Sequence, residues 1–565
     1  MNSIFDKIRH EIRATTAKAC ETCLSQGTFT VDAVPEITLE VPRERGFGDF
    51  STNLAMQMAR TAKMPPRKVA EALIAAMELA GTDIAKVEVA GPGFINFTLK
   101  PEWMAEAIRL IREKGADYGQ LDIGKGVKVN VEFVSANPTG PLHMGNARGG
   151  ALGDCIAGVL TKAGYDVTRE FYINDAGNQI EKLGLSLEAR YLQQLQGEDA
   201  VDFPEDAYHG EDIIEHAKAY IAEHGDSLLS VSSEERRRTL AQYALPINLS
   251  RIREGLTRYG IAYDVWFSEK SLYDSGEVLE TIDWLRDNGF TVEKDGAIWL
   301  SGVATGLEKD EVLIRANGFP TYMAADIAYH RNKFHKRGFD WCIDLWGADH
   351  HGHVARMHAA MSPFGVKKEN LEVVLFQLVR LYRNGEIARM SKRTGKAISL
   401  GDLLDEVGRD AARFFFNLKT AGSHLDFDLD LAVKQSNDNP VFYVQYAHAR
   451  ISNILRRLRE EDGVTLLPVE SVDLSLLTAP EETDLMRKLA EYPEEVAIAA
   501  KGLEPSRLTR YVMDVAAVFH SFYAACRVKG EAPELLQARL TLVECTRVVI
   551  RNVLDLIKIE APERM

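Results

Sequence analysis

The sequence predicts an α/β protein: a central domain built on a parallel sheet, preceded by a small α+β domain and followed by an all-α bundle. Three observations predict it. Val127, Val129, Val131 and Phe133 alternate with polar residues, the period of two of a strand, and a loop, a helical stripe and a second strand-like run at 167–173 follow. Strand, helix, strand at this spacing is the βαβ unit of a parallel sheet. The first hundred residues mix helical and strand patterns, whereas from Pro440 onward the pattern is helical throughout. The expected domains are 1–115, 116–435 with a charged helical insertion at about 180–300, and 436–565.

Composition agrees. At roughly 100–200 residues per domain, 565 residues allow three to five domains. With 46% apolar and 27% charged residues, the chain is neither disordered, collagen-like nor disulfide-stapled. No run approaches the ~18–20 apolar residues of a membrane span. Asp6, Lys7 and Arg9 put charges where a signal peptide needs its apolar stretch, so a cytoplasmic protein with no membrane contact is expected. The six cysteines are too scattered for a disulfide framework, and Cys20-x-x-Cys23 lies in a helical pattern with no second pair to complete a zinc site. The net charge of −16 says little about nucleic acid, because the placement of basic groups matters more than their sum. Basic clusters occur at Arg331, Lys333, Lys336 and Arg337, at Arg389, Lys392, Arg393 and Lys396, and at Arg450, Arg456, Arg457 and Arg459. Each alone reads as a solvated face.

In chain order, Gly91-Pro92-Gly93 between two alternating runs reads as a turn joining strands, and the polar, glycine-rich 115–126 as a linker. After the strand at 127–133, Leu152, Ile156, Val159, Leu160 and Ala163 fall at helical spacing, with Gly164 as the stop. Strand-like runs return at 342–345 and 371–376, and Asn384-Gly385 signals a tight hairpin. In the tail, Val444, Ala447, Ile451, Leu455 and Leu458 trace one apolar stripe.

In open α/β sheets, ligands bind beyond the C-terminal ends of the strands, at helix N-termini. The loop 137–146 occupies that place. It lacks GxGxxG and GxxxxGK[ST], which sets aside the dinucleotide and P-loop readings. It offers instead His143 and Asn146, able to donate to phosphate oxygens, and Gly145, which lets a flat ligand approach the backbone. Late in the same domain, Arg389-Met390-Ser391-Lys392-Arg393-Thr394-Gly395-Lys396 follows the hairpin, a basic loop suited to closing over a polyphosphate. Either piece alone also reads as an ordinary surface turn. Their combination in one domain is far more specific.

The combination resembles the class I aminoacyl-tRNA synthetases, and within them the arginyl family of bacterial type, over essentially the whole chain. Val131-Glu132-Phe133-Val134-Ser135-Ala136-Asn137-Pro138-Thr139-Gly140-Pro141-Leu142-His143 is similar to the family's HIGH-motif region, and Met390-Ser391-Lys392 sits in its KMSKS counterpart. Further matching blocks are Phe47-Gly48-Asp49-Phe50-Ser51-Thr52-Asn53, Asp326-Ile327-Ala328-Tyr329-His330, Trp346-Gly347-Ala348-Asp349-His350-His351-Gly352 and the run from Asn439 to Arg450. Two positions depart: Asn146 stands for the last histidine of HIGH and Arg389 for the first lysine of KMSKS.

The resemblance implies a Rossmann-like catalytic domain that joins L-arginine to ATP, releasing pyrophosphate, and passes arginine to the 2′-hydroxyl of the 3′-terminal adenosine of its tRNA. It assigns His143 and Lys392 to stabilising the charge on the phosphates. Pro138, Thr139, Gly140, Gly145, Asn146, Met390 and Ser391 would seat ATP, with Mg2+ travelling on the pyrophosphate oxygens. Glu132, Ser135, Asn137 and Asp326 match positions that bind arginine, with Tyr322 added as the residue four before Asp326 on the same helical face, and paired carboxylates suit a guanidinium that stays charged at physiological pH. Tyr443, Tyr446 and Arg450 in the tail would meet tRNA, the tyrosines as exposed aromatics stacking on unpaired bases. Several members activate arginine only with tRNA bound, and family analogy favours a monomer. A zinc reading of His350, His351, His353 and His358 finds no completing quartet, so no metal site is expected there; a place beside adenosine or arginine is. His330 and His335 read as ordinary histidines. The rival reading is a non-catalytic tRNA-binding paralogue, which loss of His143 or Lys392 would have signalled.

Overall fold

The computed structural model describes residues 3–42, 44–388 and 398–565. Met390, Ser391 and Lys392, with the rest of the basic loop, lie outside the described residues.

The N-terminal domain has the expected mixture. Helices Ile4–Ser25, Pro66–Ala76 and Glu102–Lys114 pack on strands β1 (Phe50–Thr52), β2 (Ile84–Ala90) and β3 (Phe94–Leu99), ordered β1-β3-β2 and antiparallel. Ser3 caps the first helix by accepting from the Asp6 amide, and Cys20 and Cys23 are buried free thiols on that helix. Burial pushes the Cys20 thiol up to about 11, which leaves it protonated and inert.

The 115–126 stretch is clamped rather than loose. Tyr118 is buried against Tyr492 and donates to the Leu489 carbonyl at 3.2 Å, and Asn552 donates to the Gly115 carbonyl at 2.9 Å. Its glycines permit close approach to the tail: a Cβ on Gly119 would lie 2.4 Å from the Tyr492 ring.

The central sheet contains β4 (Lys128–Glu132), β5 (Asp166–Ile173), β6 (Val265–Ser268), β10 (Trp341–Gly347) and β11 (Leu371–Phe376), all parallel in the order β11-β10-β4-β5-β6. The helix Met144–Lys162 follows β4 and packs close beneath it; a Cβ on Gly153 would sit 2.3 Å from Phe133. Strand β6 corrects the insertion's bounds. The inserted unit is three helices, Asn178–Gln196, Glu211–His224 and Ser233–Arg258, around their own core of Leu183, Leu187, Tyr191, Ile213 and Leu240. The chain then returns to the sheet within the span expected to be insertion. A second small sheet, β7 (Thr291–Lys294), β8 (Ala297–Leu300) and β9 (Glu311–Ile314), follows. Its first turn is Asp295-Gly296, both at positive φ, the geometry of a two-residue hairpin.

The hairpin at Asn384-Gly385 joins β12 (Val379–Arg383) to β13 (Glu386–Ile387), and β14 (Leu425–Asp428) pairs parallel with β12. The tail is a bundle of helices Pro440–Asp462, Pro480–Ala490, Tyr492–Gly502, Ser506–Ala525 and Pro533–Leu556. Val444, Ala447, Ile451 and Leu458 of the expected stripe are buried, and Leu455 is half-buried. Among the described residues no helix is long and apolar enough to cross a membrane.

Candidate active site

The site forms where β4 ends. Val134 and Ser135 leave the strand at φ 70° and 36°, and a β-branched residue in the left-handed region is a strained one. The strain aims Ser135 back at the sheet: its hydroxyl donates to Glu132 at 2.9 Å and accepts the Tyr172 amide at 3.1 Å. Beyond it, Asn137, Thr139, Gly140, His143 and Asn146 line a cleft of about 510 Å³. The opposite wall is Tyr208, His209, Gly210 and Asp212 of the inserted unit, a contribution that no sequence signal marked. Pro138 stands behind this surface: it is buried, and its carbonyl accepts from Asn248, whose own side chain pairs with His216 at 2.7 Å.

His143 caps the following helix, its Nδ1 accepting the Gly145 amide at 3.2 Å while Asn146 Oδ1 accepts the His143 amide at 3.1 Å. With Nδ1 occupied as an acceptor, the neutral ring carries its proton on Nε2, turned outward as a donor. His143 is exposed as a residue, but partial burial of its ring holds the imidazole below its ordinary pKa, so the neutral form prevails at pH 7. A side chain at Gly145 would crowd this ring, since a Cβ there would lie 3.1 Å from His143 Cε1. Asn146 therefore works as a capping residue as well as a candidate ligand.

Ser399 bridges to His143, and the Leu400 amide donates to the Leu142 carbonyl at 2.9 Å. The chain that follows the basic loop is thus anchored beside His143.

The second half of the site lies across the sheet. Asp326 is on the helix Tyr322–Arg331, one turn after Tyr322, whose ring is exposed and 6.2 Å from His353. His353 bonds Asp326 Oδ2 at 2.7 Å, and His330 lies 3.2 Å from Oδ1. Burial pushes the Asp326 carboxyl up, but the two histidines outweigh it and hold it well below the usual carboxylate range. His330 is therefore no ordinary histidine. It is buried, faces Asp344 at 2.8 Å on its other nitrogen, and these two acids outweigh desolvation to raise it to about 10, a cation at neutral pH. His335 does behave as expected, bonding the Phe364 carbonyl. His353 sits beside Asp326 and Trp346, and among the described residues no group of three or more His, Cys, Asp or Glu could hold a metal ion.

Lys333, read from sequence as part of a solvated basic face, is fully buried between Glu132 and Asp344, at 2.6 and 2.8 Å. Glu269, which opens the short helix Glu269–Asp274 directly after β6, escaped sequence reasoning because the strand before it has only four residues. It is buried and hydrogen-bonded by Tyr172 and Tyr273, and burial with nearby Asp175 and Asp326 pushes its carboxyl up to about 7. A neutral-pH titrating acid with two acidic neighbours marks a place that favours a cation.

Three family models cover nearly the whole chain: the arginyl tRNA synthetase N-terminal domain over 6–99, the class I (R) tRNA synthetase catalytic domain over 109–433, and the DALR anticodon binding domain over 444–565. The sequence is 64% identical to an arginine–tRNA ligase of Acetivibrio thermocellus and 63% identical to one of Ruminiclostridium cellulolyticum, in each case over 565 residues and all of both chains. The fold matches Thermus thermophilus arginyl-tRNA synthetase with a TM-score of 0.73, at 23% identity over 99% of this chain and 100% of that one. The chain belongs to the arginyl-tRNA synthetase family. It is a class I aminoacyl-tRNA ligase, and the expected Rossmann-like catalytic domain is the one observed.

The synthetase's tail carries a cleft of about 840 Å³ lined by Tyr446, Arg450, Arg456, Arg457, Arg527 and Lys529, among others. Tyr443 and Tyr446 are half-buried rather than exposed. Tyr443 packs 5.0 Å from the His520 ring, and Arg450 donates to the Tyr446 hydroxyl at 2.9 Å and covers its ring at 4.7 Å. The ring edge and guanidinium of this pair, more than the ring faces, are what the cleft presents.

Proposed function

We propose that the cleft beside His143 holds ATP and that Glu132, Asp326 and Glu269 recognise arginine, so that the amino-acid carboxylate attacks the α-phosphorus at the junction marked by Ser135. The observation that carries this reading is the adjacency of a phosphate-donor loop and a carboxylate-rich pocket at the mouth of one strand. Negative charge gathers on the phosphate oxygens as pyrophosphate departs, and fixed donors stabilise it without reorganisation. His143 Nε2–H is such a donor. Lys392 is assigned to the same charge, supported by the attachment of Ser399 to His143. Mg2+ would contribute charge neutralisation on the phosphates; the cleft offers it the Asp212 carboxylate, which fits an ion held mainly by phosphate oxygens. Asn137, Thr139, Gly140 and Asn146 shape the nucleotide cleft, while Tyr322 flanks Asp326. Tyr446 and Arg450 line the tail cleft assigned to tRNA, with Tyr443 one turn earlier on the same helix against His520. The enzyme is read as a cytoplasmic monomer, on family analogy.

Arginine-dependent ATP–pyrophosphate exchange, run with and without tRNA for arginine, tests the assignment. Exchange with arginine and not with lysine is expected, and a requirement for tRNA would add coupling. Absence of exchange with tRNA still bound would overturn it.

Two substrate predictions follow from the pocket. Citrulline, neutral where arginine is charged, leaves buried carboxylates unpaired and should be discriminated against by about 10⁴-fold or more in kcat/KM, whereas canavanine, which keeps the guanidine fork, should fall within about 10². Equal rejection of both in competitive aminoacylation would show that the carboxylates do not read the fork. The Glu269 carboxyl gives a pH signature: it ionises through about 7, so the KM for arginine should fall as pH rises from 6 to 8. Glu269→Gln should flatten this limb and leave the KM for ATP alone; an unchanged limb would remove Glu269 from the pocket.

A further inference from the structure

Three acids lie in register across the sheet. Asp344 on β10 pairs with Glu132 on β4, which pairs with Glu170 on β5. Like charges facing one another across neighbouring strands repel, and here all three are buried. Their cations come from one short segment. The helix Tyr322–Arg331 widens into a π turn at Asn332–Lys336, which places Lys333 over the Asp344–Glu132 pair, and Arg337 follows to take Glu170 with both Nη atoms. π turns of this kind recur at functional sites.

The acids are unequally served. Asp344 receives Lys333 on one oxygen and His330 on the other. Glu170 has Arg337, the Tyr329 hydroxyl and the Asn130 amide. Asp326 has His330 and His353. Glu132 has the Ser135 hydroxyl and a lysine it must share with Asp344. Glu132, Asp344, Glu170 and Asp326 thus share Lys333, Arg337, His330 and His353, and Glu132 is the least-served of them, at the strand end that opens toward the site. The Lys333 ammonium also lies over the Tyr329 ring, 4.4 Å from its centroid, so aromatic and carboxylate groups already surround it.

We propose that Lys333 is a positioning residue for arginine: it holds Glu132 in place at the strand mouth and favours its carboxylate form there, so that Glu132 can meet the cationic amino acid. This rests on the reading of Glu132 and Asp326 as arginine ligands. Burial and the neighbouring Asp344 push the Glu132 carboxyl up; Lys333 is the principal group opposing them and limits the rise without cancelling it. The other groups facing this cluster are Tyr329, Cys342, Tyr172 and Glu269, none of them a cation.

Removing the lysine charge should let Glu132 take up a proton at neutral pH. Lys333→Met should raise the KM for arginine about 10- to 100-fold while the KM for ATP stays within twofold. The deficit relative to wild type should shrink between pH 7 and 9, as Glu132 regains its charge; a packing defect would not respond to pH in this way. The charge-balanced Lys333→Met/Asp344→Asn protein, with no additional unpaired carboxylate, should recover part of the lost arginine affinity. A KM for arginine unchanged in Lys333→Met, a parallel rise in both KM values, or a deficit independent of pH would each overturn the proposal. So would failure of the double variant to fold, which would make the network a folding element. Glu132→Gln and Asp326→Asn, measured alongside, separate the two readings. If neither moves the KM for arginine, the pocket assignment itself fails; if both do and Lys333→Met does not, only the role of Lys333 falls.

Discussion

His143→Ala is expected to slow arginine-dependent ATP–pyrophosphate exchange by about 10²–10³-fold, the usual loss when one preorganised donor to a developing oxyanion is removed. The size of the effect follows from the tautomer. Because Nδ1 accepts the Gly145 amide, the proton on Nε2 is fixed in identity and direction before substrate arrives. No reorganisation is needed as charge develops. The loss should appear in kcat, with the KM for arginine nearly unchanged, because the carboxylates that read arginine lie on β4 and the Tyr322–Arg331 helix. A fall shared equally by kcat and kcat/KM marks an interaction made only in the transition state. His143 is exposed, and replacing it removes a helix cap worth about 1 kcal/mol, so the variant should remain folded. Since the imidazole already titrates below its ordinary pKa, its contribution should not change above pH 7. A loss smaller than fivefold, or one carried wholly by the KM for arginine, would remove His143 from the phosphate site.

What the sequence revealed and what it concealed have physical causes. β4 was legible because apolar and polar side chains alternate along residues 127–133, although the strand is buried on both faces from Val129 onward, and the loop after it because a ligand-facing turn needs particular residues at fixed spacing. Glu269 was not, since β6 is four residues long and lies in a stretch otherwise dominated by charged helices. The Asp295-Gly296 turn was a readable hairpin signal for the small sheet, obscured by strands too short to show alternation. Lys333 misled for a different reason. In sequence it belongs to a run of basic residues, and only the register of Asp344 against Glu132 and Glu170 shows that Lys333, with Arg337 after it, turns toward buried acids. Burial of a charge depends on partners far along the chain, 201 residues away for Glu132 and 11 for Asp344, and no local window holds both. The same reason hid the role of His330, whose local neighbour Asp326 is visible in sequence but whose second acid is on another strand.

Arg413→Met should be the most destabilising single change outside the site, costing about 3–5 kcal/mol, because it strands a buried carboxylate rather than merely deleting a contact. Arg413 has no exposed surface. It donates to Asp154 at 2.6 Å, to the Ile557 carbonyl at 3.0 Å and to the Tyr259 carbonyl at 3.3 Å. These partners lie on the helix after β4, at the end of the final helix of the tail, and just past the last helix of the inserted unit, so one guanidinium joins three parts of the molecule. Without it, Asp154 keeps, among the described residues, only Arg169 at 3.2 Å, and two buried carbonyls each lose a nitrogen donor. For segments of this size each kcal/mol lowers the melting temperature by roughly 2–4 °C, so a fall on the order of 10 °C is expected in the first calorimetric transition. The helix that carries Asp154 begins at Met144, beside His143, and loosening it should reduce exchange activity well below the unfolding temperature. Arg413→Met/Asp154→Leu removes both charges and should recover most of the lost stability, since well-packed apolar replacements of a buried pair are often neutral. If the double variant melts no higher than the single one, the carbonyl bonds rather than the ion pair hold the tail to the catalytic domain. If Arg413→Met melts within 2 °C of wild type, the guanidinium is not the joint that its three bonds make it.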